Sequence, residues 1–239
     1  MSRSHLVLVP GLLCDQAVWE HQAKVLRRLT SIEIGGHDKL DSLGEMAKKI
    51  LESAPERFAI AGHSMGAKVA LEAFRRAPER IAGIALLDSV ATALPPEPAA
   101  TEETAQRYAL LEMARKEGMR AMGAEWVQKM VHPDRLSDTR LIDAILDMIE
   151  RKTPAIFAAQ IKALLERPDA MPLLSAIECP SLLLCGRQDS WSPLAGHEEM
   201  VLRIHGGRLV VVEECGHMSS MERPAEVTAA LSEWLGQIR

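Results

Sequence analysis

Six short apolar runs, near residues 5–9, 31–34, 57–61, 80–87, 180–185 and 208–212, punctuate this chain, and most show no alternation of polar and apolar positions. Ile81-Ala82-Gly83-Ile84-Ala85-Leu86-Leu87 and Leu182-Leu183-Leu184-Cys185 are apolar on both sides of an extended backbone. A strand of that kind needs cover on both faces, the condition of a parallel sheet held between helical layers. Helical patterns separate the runs, and this alternation predicts an α/β fold with a mostly parallel sheet of about six strands. Periodicity alone does not distinguish such runs from buried helix. Their length and their bracketing by Pro and Gly select strand.

A chain of 239 residues with 47% hydrophobic content can bury one good core, either as two domains or as one domain with an insertion. No interdomain linker is visible. Between about 92 and 170 the strand signal stops and four helical patterns follow, divided by Gly118, by His132-Pro133 and by Thr153-Pro154. The expected organisation is a core of residues 1–91 and 171–239, interrupted by a four-helix insertion over 92–170.

The chemistry gathers at Gly62-His63-Ser64-Met65-Gly66, between the run Phe58-Ala59-Ile60-Ala61 and a helical pattern with Val69, Ala70, Ala73, Phe74 and Ala77 on one side. A Ser where a buried strand reverses into a helix takes an unfavourable backbone conformation, and its flanks must be small for the chain to cross itself. The hydroxyl then stands above the sheet edge. The Met65 N–H, opening the helix, faces the space where an acyl oxygen would become negative. The opposing reading is a Gly-rich turn with a bystander Ser.

A Ser hydroxyl needs a base, and the base needs an acceptor to hold its tautomer. Cys185-Gly186-Arg187-Gln188-Asp189 follows one buried run and Glu213-Glu214-Cys215-Gly216-His217 follows the last. Both therefore lie where parallel strands deliver side chains to a common carboxyl edge, in the order Ser64, Asp189, His217 associated with this turn. Asp88, after Leu86-Leu87, is a rival acid, with a helix cap or hinge as its plain alternative. The second oxyanion donor is expected from Pro10-Gly11-Leu12-Leu13-Cys14-Asp15, where Gly11 admits close backbone approach and Leu12 offers its N–H. His63 is read as packing or lining the entrance. Trp126, Phe157, Trp191 and Met218 are further pocket candidates, and Trp19 is a packing residue behind the oxyanion loop.

With Leu8-Val9-Pro10-Gly11-Leu12-Leu13, Gly62-His63-Ser64-Met65-Gly66, Gly186-Arg187-Gln188-Asp189 and Gly216-His217-Met218 in place, the chain resembles the serine-hydrolase branch of the α/β-hydrolase superfamily. The likeness is nearest to its lid-bearing esterases, typified by pimeloyl-carrier-protein methyl ester esterase. It covers nearly the whole chain and puts the helical insertion in the lid position. It implies cleavage of a small-molecule carboxylic ester, or a thioester, through an acyl-serine, with no cofactor. Many relatives carry His-Gly where this chain has Pro10-Gly11, so only the backbone contribution is expected there, and the family's leading antiparallel strands are not evident. Dehalogenase and epoxide-hydrolase relatives place Asp where Ser64 stands. Three alternatives stay open: the same triad can cleave carbon–carbon bonds or serve a lyase, perhydrolase or haloperoxidase side activity would require peroxide, and the scaffold can act as a ligand receptor with a vestigial triad.

Other classes find little support. The net charge of −5 is spread over mixed-sign segments, against a nucleic-acid face. H-E-x-x-H, clustered Cys and His ligands and P-loop spacing are absent from the sequence, so no metal or cofactor is expected. Leu6-Val7-Leu8-Val9 is cut by Pro10-Gly11 and reads as a strand rather than a signal-peptide core. No apolar stretch has the length of a membrane span, and the expected location is cytoplasmic. Cys14, Cys179, Cys185 and Cys215 form no C-x-x-C pair and read as small buried hydrophobes. In the insertion, Met113, Met119, Met122, Trp126 and Met130 share helix faces, as do Ile142, Ile145, Leu146 and Ile149. That pattern suits packing, and as a hypothesis it suits a flexible wall for an acyl chain. Arg107, Arg115, Lys116, Arg120, Arg140 and Arg151 are matched there by at least as many acids.

Overall fold

The computed structural model describes residues 5–37 and 39–238. The chain runs β1 (His5–Val9), α1 (Glu20–Leu26), β2 (Ser31–Ile34), α2 (Leu43–Ser53), β3 (Phe58–His63), α3 (Met65–Arg76) and β4 (Ile81–Leu87). Four helices follow: α4 (Ala99–Glu117), α5 (Met119–Val127), α6 (Thr139–Glu150) and α7 (Pro154–Leu165). The chain then returns through β5 (Ser181–Gly186), α8 (Leu194–Val201), β6 (Arg208–Val212), α9 (Ser219–Glu222) and α10 (Pro224–Leu235).

The six strands form one sheet in the order β2-β1-β3-β4-β5-β6, and every neighbouring pair is parallel. All carboxyl ends therefore point to one edge. From β1 the chain steps outward to β2, then reverses across β1 to β3, and right-handed crossovers send helices to both faces at such a reversal. In keeping with this, α1 packs with α10 while α2 packs with α3. The inner strands β1, β3, β4 and β5 are buried almost throughout, which is why their sequences do not alternate.

Strand β3 runs two residues further than its apolar core suggests. Gly62 pairs with Val9 and Leu86, and His63 with Leu87, so the ladder continues up to the turn itself. Helix α2 buries Leu43, Met46, Ala47 and Ile50, the i, i+3, i+4, i+7 stripe of a one-sided helix. Helices α6 and α7 begin where a side chain takes a free backbone N–H: Asp138 accepts from Leu141, and Thr153 accepts from Ile156. Gly118, at φ +95°, separates α4 from α5. Among the described residues no helix is long and apolar enough to cross a membrane.

Candidate active site

Ser64 sits between β3 and α3 at φ +53° and ψ −117°. A non-glycine residue held there is strained, and it persists only because its surroundings fix it. Its N–H donates to the Leu87 carbonyl at 2.8 Å. The crossing that the turn forces is close: a Cβ on Gly62 would lie 2.2 Å from the Gly66 carbonyl oxygen, and one on Gly66 would lie 2.2 Å from the Val9 carbonyl oxygen. No side chain fits at either position.

From this turn the Ser64 Oγ lies 2.8 Å from His217 Nε2. His217 Nδ1 lies 2.8 Å from Asp189 Oδ2. A carboxylate only accepts, so the proton belongs on Nδ1, and Nε2 is left to accept from the serine. Asp189 Oδ1 also accepts from the N–H groups of Trp191 at 2.8 Å and Ser192 at 2.9 Å. Burial alone would raise its carboxyl, but the charge and hydrogen bond of His217 and these two N–H groups hold it below the usual range. The three residues thus form one hydrogen-bonded line across the carboxyl ends of β3, β5 and β6.

Asp88 follows β4 at the same edge but faces elsewhere. Its Oδ1 accepts from the Gly186 N–H at 3.3 Å, and its Oδ2 pairs with the Ser219 hydroxyl. Burial and the nearby Asp189 charge raise its carboxyl well above the ordinary range. It meets His63 Nε2 at 3.5 Å rather than the ring of His217.

The loop after β1 lies against this line. Leu12 lines the cavity above Ser64, and the next two N–H groups are engaged, that of Leu13 by Gln160 Oε1 at 2.8 Å and that of Cys14 by the Gly11 carbonyl at 3.1 Å. The Met65 N–H opens α3, where no intrahelical acceptor exists.

A cavity of about 710 Å³ opens over Ser64, roofed by residues of α4 to α7. Trp126 and Trp191 line it edge to face, with ring centroids 6.1 Å apart, and His63, Met65 and Met218 also reach it. Phe157 does not. It is buried behind Trp126, ring centroids 6.4 Å apart, and packs in the core of α7. That helix is apolar around most of its circumference, so spacing could not tell which side meets the cavity. Of the methionine stripe, Met113 and Met130 line the cavity, whereas Met119 and Met122 turn into the packing between helices. Trp19 is fully buried against the edge of His63. Cys14 lines the cavity, but burial pushes its thiol up to about 12, far from a reactive thiolate.

Two supporting residues escape a motif search. Glu222, buried in α9, accepts from the N–H groups of His132 at 2.7 Å, Gly216 at 3.0 Å and Met218 at 3.2 Å, and so brackets His217. Gln160 holds the loop after β1 at Leu13. A buried glutamine amid the apolar residues of α7 was the one available signal.

The model of the alpha/beta hydrolase family matches residues 6–231. The pimeloyl-[acyl-carrier protein] methyl ester esterase of Nitrosomonas europaea is 25% identical over 92% of this chain and 91% of its own. The 2-succinyl-6-hydroxy-2,4-cyclohexadiene-1-carboxylate synthase of Escherichia coli O1:K1 is 27% identical over 86% of this chain and 78% of its own. Among solved structures, a thermophilic esterase from Thermogutta terrifontis superposes with a TM-score of 0.86 at 28% identity, covering 98% of this chain and 90% of that one. A match over nearly the whole length, on a parallel six-stranded sheet with a serine at the strained turn, shows that this chain belongs to the alpha/beta hydrolase family.

Proposed function

We propose that this protein is a cofactor-independent serine hydrolase that cleaves a small-molecule carboxylic ester through an acyl-Ser64 intermediate. The observation that carries the reading is the unbroken line Asp189–His217–Ser64, with both links at 2.8 Å, opening into a cavity large enough for a small ester. The esterase names of the relatives and of the structural neighbour support it.

In this mechanism Ser64 Oγ attacks the ester carbonyl while His217 Nε2 takes its proton, and Asp189 stabilises the imidazolium. The N–H groups of Leu12 and Met65 receive the oxyanion, each contributing about 3 kcal/mol to the transition state. The imidazolium passes the proton to the leaving alkoxide, then His217 activates water to release the acid. A thioester follows the same route with a thiolate leaving. Met113, Met130, Met148, Leu110 and Ile145 give the cavity a flexible apolar wall suited to an acyl chain. A preference between short and medium acyl p-nitrophenyl esters is the sign of such a wall.

The test is Ser64→Ala, assayed on a panel of p-nitrophenyl esters together with fluorophosphonate labelling of the wild type. Loss of both turnover and label in the variant supports the reading. Substantial residual activity removes Ser64 from the mechanism, and labelling without turnover on any ester favours a receptor. The likeness to a protein named as a synthase motivates one further readout. An esterase yields acid plus alcohol, whereas a lyase on the same triad yields neither pair.

A further inference from the structure

The cavity wall carries more positive than negative charge. Four basic side chains, Lys68, Arg107, Lys129 and Arg167, line it against two acidic ones, Glu103 and Glu125, although the chain as a whole has a net charge of −5. Three of the bases form a group from three separate segments. Arg167 grips Glu103 with both ends of its fork, at 2.9 Å and 2.8 Å, and Arg107 reaches the same carboxylate through Nε at 2.9 Å and Nη2 at 2.8 Å. One carboxylate thus serves two guanidinium groups.

Among the described residues Lys68 has no carboxylate of its own. Its ammonium is hydrogen-bonded to the Val90 carbonyl. Enclosure, together with the Arg167 and Arg107 charges, draws it down to about 7 against the pull of Glu103. Lys68 is only half-buried in the cavity wall, yet its head turns to a carbonyl rather than extending to open solvent as a surface lysine normally does. Lys68 lies one turn beyond Ser64 on α3, about 6 Å along the helix axis, and both line the same cavity. Glu103 offsets only one of the two guanidinium charges, so the group keeps a net positive charge beside Lys68 and suits an anionic ligand.

We propose that Lys68, backed by Arg107 and Arg167, is an anion subsite, and that the ester cleaved at Ser64 carries a free carboxylate a few bonds from its scissile carbonyl. This rests on the esterase reading of Ser64. The carboxylate belongs either to the acyl part, as in the monoester of a short dicarboxylic acid, or to the alcohol part, as in the ester of a hydroxy acid. The apolar wall then takes the carbon chain and Lys68 takes its charged end.

The experiment compares kcat/KM for two matched pairs: monomethyl glutarate against methyl pentanoate, and the butanoate ester of glycolic acid against propyl butanoate. The wild type should favour the charged member of one pair by about ten-fold or more, the range for a hydrogen bond to a charged group, and the favoured pair locates the carboxylate. In Lys68→Gln that ratio should collapse towards one. Preference for the neutral member of both pairs overturns the proposal, as does a variant that loses charged and neutral esters in equal proportion. A second measurement needs no variant: glutarate should inhibit p-nitrophenyl butanoate hydrolysis competitively and more strongly than glutaramide, and equal inhibition also overturns it. Cleavage of neutral esters alone sinks the subsite and spares the esterase, whereas no cleavage of any ester and no labelling of Ser64 sinks both.

Discussion

Acid should destabilise this protein through His63, a residue beside the nucleophile that the mechanism does not titrate. Its side chain is about 1% exposed at the end of β3, and its Nε2 donates to the His217 carbonyl at 2.8 Å. The neutral ring therefore carries its proton on Nε2, while Nδ1 is buried without a hydrogen-bond partner among the described residues. A second proton would land on Nδ1, where nothing accepts it. Burial, then the neighbouring His217 ring, pulls the ring down to about 4, against the His217 carbonyl and Asp189. Unfolded, the same ring titrates near 6.5. Between those two values the unfolded chain binds a proton that the folded chain refuses, so stability is intact above about 6.5 and is lost as pH falls towards 4. Linkage puts the loss at about 2 kcal/mol by pH 5 and about 3 kcal/mol by pH 4. His63→Gln keeps an amide donor for the His217 carbonyl and removes the titration. Urea unfolding of both proteins at pH 7.5 and pH 5 isolates the effect, since Asp88 and the other carboxylates titrate in both. The wild type should lose about 2 kcal/mol more than the variant. Parallel losses would refute the reasoning.

The two candidate acids separate under one assay. Asp189→Asn should lower kcat/KM by about 10⁴-fold, because an amide cannot hold His217 in the required tautomer. Asp88→Asn should change it by less than about ten-fold, since a carboxyl raised by burial and by Asp189 already resembles the neutral amide; the reverse ranking would return the acid role to Asp88. Glu222→Gln replaces an acceptor of three backbone N–H groups by one that can satisfy fewer. It should cost about 1–3 kcal/mol in urea unfolding and lower kcat more than it raises KM, and an unchanged kcat would show that the His217 loop holds itself.

How far the sequence reaches depends on the range of the interaction. The six strands are legible because burial on both faces writes itself into local composition, as in Ile81–Leu87, and the four helices between β4 and β5 because that signal stops there. The order Ser64, Asp189, His217 is legible because each residue follows an apolar run, and a parallel sheet sends all such positions to one edge. The choice between Asp88 and Asp189 is not legible, because both satisfy that rule. The structure separates them by direction: Asp189 faces the His217 ring, whereas Asp88 turns back, at φ +50°, to the Gly186 N–H and the Ser219 hydroxyl. Phe157 goes astray for a related reason, since an all-round apolar helix leaves its cavity side undetermined. Lys68, Arg107 and Arg167 come from α3, α4 and the segment after α7, and no linear pattern joins them. Counting charges over 92–170 misses their grouping because Lys68 lies outside that range and Glu103 neutralises only part of it.

Helices α4 to α7 are tied to the chemistry at both ends of the site. On one side, the Met130 carbonyl accepts the N–H groups of His217 at 2.8 Å and Met218 at 3.2 Å, and the His132 N–H donates to Glu222. On the other, Gln160 holds the Leu13 N–H, and Arg151 pairs with Asp15 at 2.8 Å in the loop after β1. A cover that swung clear of the sheet would break the bonds that set the His217 loop and the bonds that set the loop after β1 in the same motion. The buried links among them are the ones expensive to leave unmade. Full opening would therefore dismantle the site that it was meant to expose. Substrate entry has to be reconciled with those fixed points. Among the described residues, α4 meets the charged group through Glu103 and Arg107 and buries only Ala100, Leu111 and Ala114 along its length.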